Sequence, residues 1–259
     1  MLQLRRWLLR SGVYKIARPF VNLFSRMTWF IRFADWVRDN PNIPYNDYPT
    51  KQDYYKRYAL FTWLLEEFHG AAPGTTDSLG RDTVLNTTAT APLSYLEFGV
   101  ADGETFGWWL KKITHSAARF YGFDTFQGLP EDWGIHKKGA FSNEGKIPSF
   151  DDDRCRFQKG LFQETLQPFL KNFANDQPKL ILLDADLYSS TLFVLTTLAP
   201  LLQNGDILVF DEFNSPRHEF RAFCDFAQAY PQIQLKPIAA ANNYTFVAFE
   251  VIIPHPRRG

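Results

Sequence analysis

The sequence contains little cysteine and no long apolar run. Only Cys155 and Cys224 occur in 259 residues, and neither has a Cys or His neighbour at zinc-ligand spacing. A disulfide framework and a structural zinc site are therefore excluded. No apolar run approaches the roughly 18 consecutive residues that a membrane-spanning helix needs. We expect a protein that is not integral to a membrane.

The sequence also lacks net charge. It has 28 basic and 28 acidic residues, so no overall positive field attracts nucleic acid, and we expect no nucleic-acid partner. The charge is unevenly distributed, because residues 1–40 carry eight Arg or Lys against two Asp, a net charge of +6 that the remaining residues balance. Aromatic residues make up 17% of the chain, which indicates a packed globular protein.

We expect no secretory signal peptide in the first residues, because arginines interrupt their apolar residues. We therefore expect a cytoplasmic protein. Residues 1–38 place Leu, Trp, Phe and Ile at helical spacing between arginines, a pattern typical of amphipathic helices. We interpret these helices as a packing or homo-oligomer arm. Peripheral contact with a membrane surface is the alternative.

A loop rich in Gly, Thr, Ser and Asp at residues 71–92 separates two regions of the chain. Residues 53–68, before this loop, have a helical pattern. We predict a helical N-terminal extension over residues 1–90 and a second domain over residues 91–259.

Short apolar strands alternate with longer helical segments in the second domain. The pattern predicts strands at 94–99, 119–124, 154–159, 180–184 and 207–211, and helices at 104–115, 163–173, 189–202 and 217–230. Several of the strands are apolar on both faces, as parallel strands between two helix layers must be. This alternation indicates a doubly wound α/β fold.

The chain ends in two strand-like runs, at 233–239 and 244–253, that only four residues connect. Four residues are too few for a crossover helix, so the two runs must pair antiparallel. We predict a mostly parallel, seven-stranded sheet with an antiparallel last strand. This Rossmann-like arrangement distinguishes class I methyltransferases from dinucleotide oxidoreductases.

The turn after the first parallel strand carries the first candidate site, with the spacing E-x-G-x-x-x-G. Gly99 and Gly103 would let the backbone approach a ligand at the carboxyl end of the strand. Glu97 and Asp102 supply the acidic surroundings that a cationic sulfonium favours. The spacing differs from the G-x-G-x-x-G of pyrophosphate binders. The alternative is that the two glycines serve only the turn.

The second strand ends in Asp124, 25 residues after Gly99. A carboxylate at this place can accept hydrogen bonds from both ribose hydroxyls of an adenosyl group. The alternative is an exposed aspartate at a strand end. Together with the glycine turn, Asp124 favours a nucleoside ligand, S-adenosylmethionine.

Four more acids follow two apolar strands that lie side by side in a doubly wound sheet. They are Asp184, Asp186, Asp211 and Glu212. Carboxylates this close repel one another, so a cation is expected among them. Oxygen ligands without His or Cys select Mg²⁺ over zinc. Two alternatives are that one acid faces the methionine ammonium group and that the acids cap the following helices.

Five motifs in order resemble the macrocin O-methyltransferase family across residues 94–253. They are EFGV at 97–100, YGFDTFQGLPE at 121–131, KGLFQETL at 159–166, DADLYSST at 184–191 and DEF at 211–213. The resemblance implies a magnesium-assisted O-methylation of a substrate with neighbouring hydroxyls, often a sugar. We assign Thr125 and Phe162, within these motifs, to cofactor binding.

The resemblance also implies a metal site and a base. Asp184 matches the metal ligand at a strand end and would act in catalysis, and Asp211 with Glu212 matches the acidic pair that completes the site. The family usually has two aspartates in this pair, so Glu212 departs from it. The polar loop at 132–149 suits a lid over the substrate, and His136 within it matches the family's candidate base.

Other functions remain open from the sequence. A metal-independent methyltransferase is the nearest alternative, followed by a nicotinamide-dependent oxidoreductase and a non-catalytic binding module on the same fold. The expected partner is a small hydroxylated acceptor, which the sequence does not name.

Overall fold

The computed structural model describes residues 2–12, 14–47, 55–68 and 91–254. The chain divides into two compact units, Met1–Pro41 and Asn42–Gly259. The first unit contains two helices, α1 (Leu2–Ser11) and α2 (Tyr14–Asp39). In the described part of the chain, no helix combines the length and the apolar character needed to cross a membrane.

The second unit alternates strands and helices as the sequence pattern predicts. Its elements are β1 (Tyr45–Asp47), α3 (Lys56–Phe68), β2 (Ser94–Phe98), α4 (Glu104–Lys112), β3 (Arg119–Asp124), β4 (Cys155–Lys159), α5 (Phe162–Leu170), β5 (Lys179–Leu183), α6 (Tyr188–Leu198), β6 (Ile207–Phe210), α7 (Glu219–Ala229), β7 (Gln234–Ala241) and β8 (Phe246–Ile252). The boundaries of the predicted strands lie within two residues of these bounds.

The strands form one sheet in the order β1-β7-β8-β6-β5-β2-β3-β4. Among the described strands, β8 alone runs antiparallel to its neighbours, β6 and β7. The predicted doubly wound fold with an antiparallel last strand is therefore confirmed. The sheet has eight strands rather than seven, because Tyr45–Asp47 pairs in parallel with Ala239–Ala241. Three residues in a proline-rich stretch carry no strand pattern, so this pairing depends on tertiary contacts alone.

Helices α3 and α4 cover one face of the sheet. Phe61 of α3 contacts Trp109 of α4 with ring centroids 4.8 Å apart, and Trp109 packs on Tyr95 of β2 at 5.7 Å. These side chains are fully buried in one hydrophobic cluster. The structure thus places β1 and α3 in the unit that contains the sheet, and the domain boundary near residue 90 stays a prediction. Residues 53–68 showed helical spacing, but the spacing does not indicate what the apolar face covers.

Helices α5, α6 and α7 cover the opposite face. Phe169 of α5 packs on Phe123 of β3 at 5.0 Å, and Phe223 of α7 lies 6.2 Å from Phe210 of β6. The two helix layers leave the carboxyl ends of the central parallel strands open at one edge of the sheet. Open α/β sheets bind their ligands at such an edge.

Candidate active site

A cleft of about 490 Å³ opens at the carboxyl ends of β2, β3, β5 and β6. Its volume lies in the range of small-molecule binding sites. Nine of the residues predicted for the site line it: Gly99, Asp124, Thr125, His136, Phe162, Asp184, Asp186, Asp211 and Glu212. The structure thus brings together residues that lie far apart in sequence, and their individual roles stay predictions.

Gly99 follows β2 and allows two strand ends to touch. Its φ is +99°, and a Cβ at this position would lie 1.8 Å from the backbone oxygen of Asp184. The amide of Asp184 donates to the carbonyl oxygen of Phe98 at 2.9 Å. The sequence predicts that this glycine lets backbone approach a ligand, whereas the structure shows that it lets the end of β2 approach the end of β5. A side chain here would displace Asp184 from the cleft wall.

Asp124 fixes the same loop through its carboxylate. Oδ2 accepts hydrogen bonds from the amides of Val100 and Ala101, both at 2.8 Å, and Oδ1 accepts one from the amide of Phe126 at 2.7 Å. The hydroxyl of Thr125 also donates to Oδ1, at 3.5 Å. Asp124 therefore shapes the loop after β2 as well as lining the cleft.

Three of the predicted cofactor residues lie away from the cleft wall. Glu97 is buried beneath the sheet edge, where it accepts a hydrogen bond from the hydroxyl of Tyr95 at 2.5 Å, and burial raises its pKa well above the usual value. Asp102 is exposed, and its Oδ1 accepts a hydrogen bond of 3.2 Å from the amide of Glu104, the first residue of α4. Gly103 lies against Pro148, because a Cβ added to Gly103 would lie only 2.9 Å from the Cβ of Pro148. In the structure, these three residues build the loop and the core below it.

Three aspartates form an acidic wall at the ends of β5 and β6. Burial, followed by repulsion from Asp211, raises the pKa of Asp184 well above its usual value. The same two causes raise the pKa of Asp186 to about 7. Burial raises the pKa of Asp211 to about 6, against the opposing effects of Arg57 and of a hydrogen bond with Asp184. A wall of this kind stabilises a cationic ligand, since a positive charge favours the ionised carboxylates.

Glu219 is a further acid that the sequence reasoning missed. It lies in the first turn of α7 and is fully buried. Its Oε2 accepts a hydrogen bond of 3.0 Å from the amide of Glu212. Burial raises its pKa well above the usual value, and Asp211 and Asp186 add to the effect. The available signal was an acid in the first turn of the helix after β6, a position that usually indicates only a favourable helix start.

Arg57 of α3 is the second residue that the sequence reasoning missed. Its Nη1 lies 4.0 Å from Oδ1 of Asp211 and its Nη2 lies 3.7 Å from Oε2 of Glu104, with 17% of the side chain exposed. Burial lowers the pKa of Arg57, but Asp211 and Tyr58 raise it more, so the guanidinium stays charged. In the part of the chain that the structure describes, Arg57 Nε and Asp211 Oδ1 are buried without a hydrogen-bond partner. The sequence could not show this pairing, because no motif connects α3 with β6.

The predicted magnesium ligands do not assemble into a metal site. Within residues 2–12, 14–47, 55–68 and 91–254, no group of three or more His, Cys, Asp or Glu side chains is arranged to hold a metal ion. Asp211 instead faces the guanidinium of Arg57, whose Nη1 lies 4.0 Å from its Oδ1. Asp184, Asp211 and Glu212 therefore do not fit a divalent ion in this arrangement.

The loop at 132–149 covers the cleft with aromatic side chains. His136 stacks on Trp133 at 5.3 Å and lies 4.8 Å from the ring of Phe141, and all three line the cleft. Reciprocal backbone hydrogen bonds of 2.7 and 2.8 Å join His136 and Trp133, and Lys137 pairs with Asp132 at 2.9 Å. The loop thus has a defined internal structure that holds the imidazole at the cleft.

His218 lies near this loop, at the start of α7. It is half-buried, its ring centroid is 6.4 Å from that of Trp133, and burial lowers its pKa. His218 directly precedes Glu219, the first residue of α7. Its imidazole is neutral at pH 7, so it is the natural comparison for His136.

The sheet with its antiparallel last strand has the fold of the class I S-adenosylmethionine-dependent methyltransferases. Residues 96–213 match a family model described as a methyltransferase domain. This match spans the loop after β2, the acidic wall and the aromatic loop. This part of the chain is therefore similar to a methyltransferase domain.

Several solved structures are similar to this chain. The crystal structure of the calicheamicin methyltransferase CalS11 is 20% identical, with a TM-score of 0.50 over 76% of this chain and 78% of that one. The O-methyltransferase NovP is 21% identical, with a TM-score of 0.47 over 62% and 72% of the two chains. An O-methyltransferase from Bacillus cereus in complex with SAH is 17% identical, with a TM-score of 0.47 over 86% and 90%. Among curated protein sequences, no match was found.

Proposed function

We propose that this protein transfers a methyl group from S-adenosylmethionine to a hydroxyl of a sugar or of another small hydroxylated molecule. The observation that carries the proposal is the single cleft in which nine predicted site residues meet. The five motifs that resemble the macrocin O-methyltransferase family support a sugar acceptor. The net charge of the acidic wall supports a cationic methyl donor.

The donor would lie between the loop after β2 and the start of α5. Asp124 and Thr125 face its nucleoside end, Phe162 packs beside it, and Asp184 with Asp186 faces its cationic end. When bound, S-adenosylmethionine supplies an electrophilic methyl group on a sulfonium. The protein's contribution is to hold the acceptor oxygen in line with that methyl group, which accounts for much of the acceleration.

His136 would take the proton of the acceptor hydroxyl on its imidazole nitrogen. The proton leaves the acceptor oxygen as that oxygen forms its new bond to carbon, so the charge on the oxygen stays small. Trp133 and Phe141 hold the imidazole in place and exclude water from the acceptor side of the cleft. Ser189 Oγ donates to Glu131 at 3.1 Å, which ties the start of α6 to the covering loop.

No step of this mechanism uses a divalent ion, because the acids present do not fit one. We propose that Arg57 provides the positive charge that the acidic wall requires. It lies off the cleft wall, so it acts through Asp211 as a positioning residue. The reaction is then expected to proceed without added metal.

Calorimetric titration of the full chain with S-adenosylmethionine, S-adenosylhomocysteine and NADH tests the proposal. We expect binding of the first two and none of NADH. Transfer of a labelled methyl group to a panel of sugars and sugar nucleotides then identifies the acceptor class. Binding of NADH instead would support an oxidoreductase, and binding without transfer to any hydroxylated acceptor would support a binding module.

A further inference from the structure

Helix α2 presents an apolar stripe to solvent. Phe20, Leu23, Phe24, Met27 and Ile31 repeat at helical spacing and are each more than half exposed. Side chains at this spacing share one face of a helix. A contiguous exposed apolar face of this length indicates a binding surface. We call these five residues the α2 stripe.

Basic residues border the α2 stripe on both sides. The helical repeat places exposed Arg26 on one side and exposed Arg32 on the other, with the guanidinium of Arg32 over the ring of Trp29 at 4.7 Å. Residues 1–34 contain seven Arg or Lys and no Asp or Glu. The first acid is Asp35, after the stripe has ended. An apolar stripe between cationic borders matches the pattern of helices that lie in the interface of an anionic bilayer.

Helix α1 continues the pattern. Leu4 and Trp7 are 61% and 57% exposed, and they lie three positions apart, beside exposed Arg6 and Arg10. Tryptophan is enriched at membrane interfaces because its ring is apolar and its N–H is polar. Both helices of the first unit therefore combine exposed apolar side chains with positive charge.

We propose that the α2 stripe docks the protein on the surface of an anionic lipid bilayer. Charge decides between the possible occupants. Two copies packed through this stripe would bring two sets of eight cations together with only Asp35 and Asp39 of each copy to offset them, whereas anionic headgroups neutralise the excess. The apolar side chains would enter the boundary between headgroups and acyl chains, and Arg26 and Arg32 would remain among the phosphates.

Vesicle flotation with the full chain tests this proposal. We expect binding to vesicles of phosphatidylcholine with phosphatidylglycerol and little binding to phosphatidylcholine alone. Phe20→Gln with Met27→Gln should weaken binding about tenfold or more, since both lie at the centre of the stripe. The control is Val21→Gln, which removes an exposed apolar side chain of the same helix that lies off the stripe, and it should bind nearly as wild type.

The charge of the surface is tested separately. Arg26→Gln with Arg32→Gln should weaken binding to the anionic vesicles about tenfold, and added salt should do the same. Equal binding of the stripe variant and wild type would overturn the proposal. So would a wild-type dimer in light scattering that the stripe variant converts to monomer, because the stripe would then join two copies. Unchanged donor binding and an unchanged helix signal in circular dichroism show that all variants are folded in both units.

Discussion

Gly99 allows the end of β2 to contact the end of β5 at the cleft. Gly99 and Gly139 both have strongly positive φ values, +99° and +87°, but only an added Cβ at Gly99 meets another atom, the backbone oxygen of Asp184. Replacement of either by alanine incurs the cost of a left-handed backbone, about 1–2 kcal/mol. Gly99→Ala must also separate β2 from β5.

We therefore expect Gly99→Ala to lower the melting temperature clearly more than Gly139→Ala and to weaken S-adenosylmethionine binding more than tenfold. Thermal denaturation and calorimetry measure the two effects. Equal behaviour of the two variants would mean that the approach of the strand ends is not needed.

Glu97 is expected to reduce stability at neutral pH. Its folded pKa is raised above the unfolded value of about 4.3, so the folded protein holds the proton more tightly. This contribution is complete below the unfolded pKa. It is lost at about 1.4 kcal/mol per pH unit as the pH rises toward the folded pKa.

Glu97→Gln keeps an acceptor for the hydroxyl of Tyr95 and removes the charge. We expect it to raise the melting temperature at pH 8 and to flatten the dependence of stability on pH between 5 and 8. The exposed Glu164→Gln is the control and should leave the curve unchanged. Parallel curves for Glu97→Gln and wild type would contradict a protonated Glu97.

His136 and His218 differ in their position relative to the cleft. His136 lines it and His218 lies behind Trp133. We expect His136→Gln to lower kcat by about 10²- to 10⁴-fold with little change in donor affinity, the range for loss of a general base. His218→Gln should change kcat less than tenfold. Steady-state kinetics with an identified acceptor measure both, and the reverse order would move the base to His218.

Helix α3 positions Arg57 beside the acidic wall. Its Leu60, Phe61, Leu64 and Leu65 are fully buried in the core shared with α4, and this packing holds Arg57 beside Asp211. The helix thus delivers a cation to strand ends that lie far from it in sequence. The packing of the whole helix matters, because Arg57 reaches Asp211 only when the buried face of α3 packs against the core.

Arg57→Gln should lower kcat/KM about ten- to a hundredfold, because it leaves Asp211 without its cation. Arg57→Lys should restore part of the activity, and excess EDTA should not reduce wild-type turnover. The neighbouring Lys56→Gln, which removes an ion pair with Asp47 at 2.8 Å, is the control on the same helix. Loss of turnover in EDTA, restored by Mg²⁺, would return the metal to the mechanism.

The whole molecule divides at residue 41, and the sheet needs the chain from Asn42 onward. We expect a chain of residues 42–259 to unfold cooperatively near the wild-type temperature and to bind S-adenosylmethionine. A chain of residues 91–259 removes β1 and α3 and exposes Tyr95 and Trp109, so it should aggregate or unfold at a lower temperature. Circular dichroism melting and calorimetry compare the two. A stable second fragment would support the boundary near residue 90.

The order of strands and helices was predictable from the sequence by itself, as were the antiparallel ending and the acids at the strand ends. Apolar runs, short connections and residues just after a strand are local features, and local features appear in a linear sequence. The placement of Gly99, Asp124 and the four acids around one cleft followed from these features together with the rule that parallel strands end at a common edge. The choice of Thr125, Phe162 and His136 depended on the family resemblance.

Only the tertiary structure decided which cation faces the acids, which glycine allows two strand ends to touch and where the sheet unit begins. Arg57 meets Asp211, Gly99 meets the backbone of Asp184, and β1 meets β7 through contacts between distant parts of the chain. No local pattern encodes such pairs, because their energies come from burial and distance in the folded protein. Burial in the folded protein likewise places Glu97 in a hydrogen bond with Tyr95, a contact that no local pattern shows.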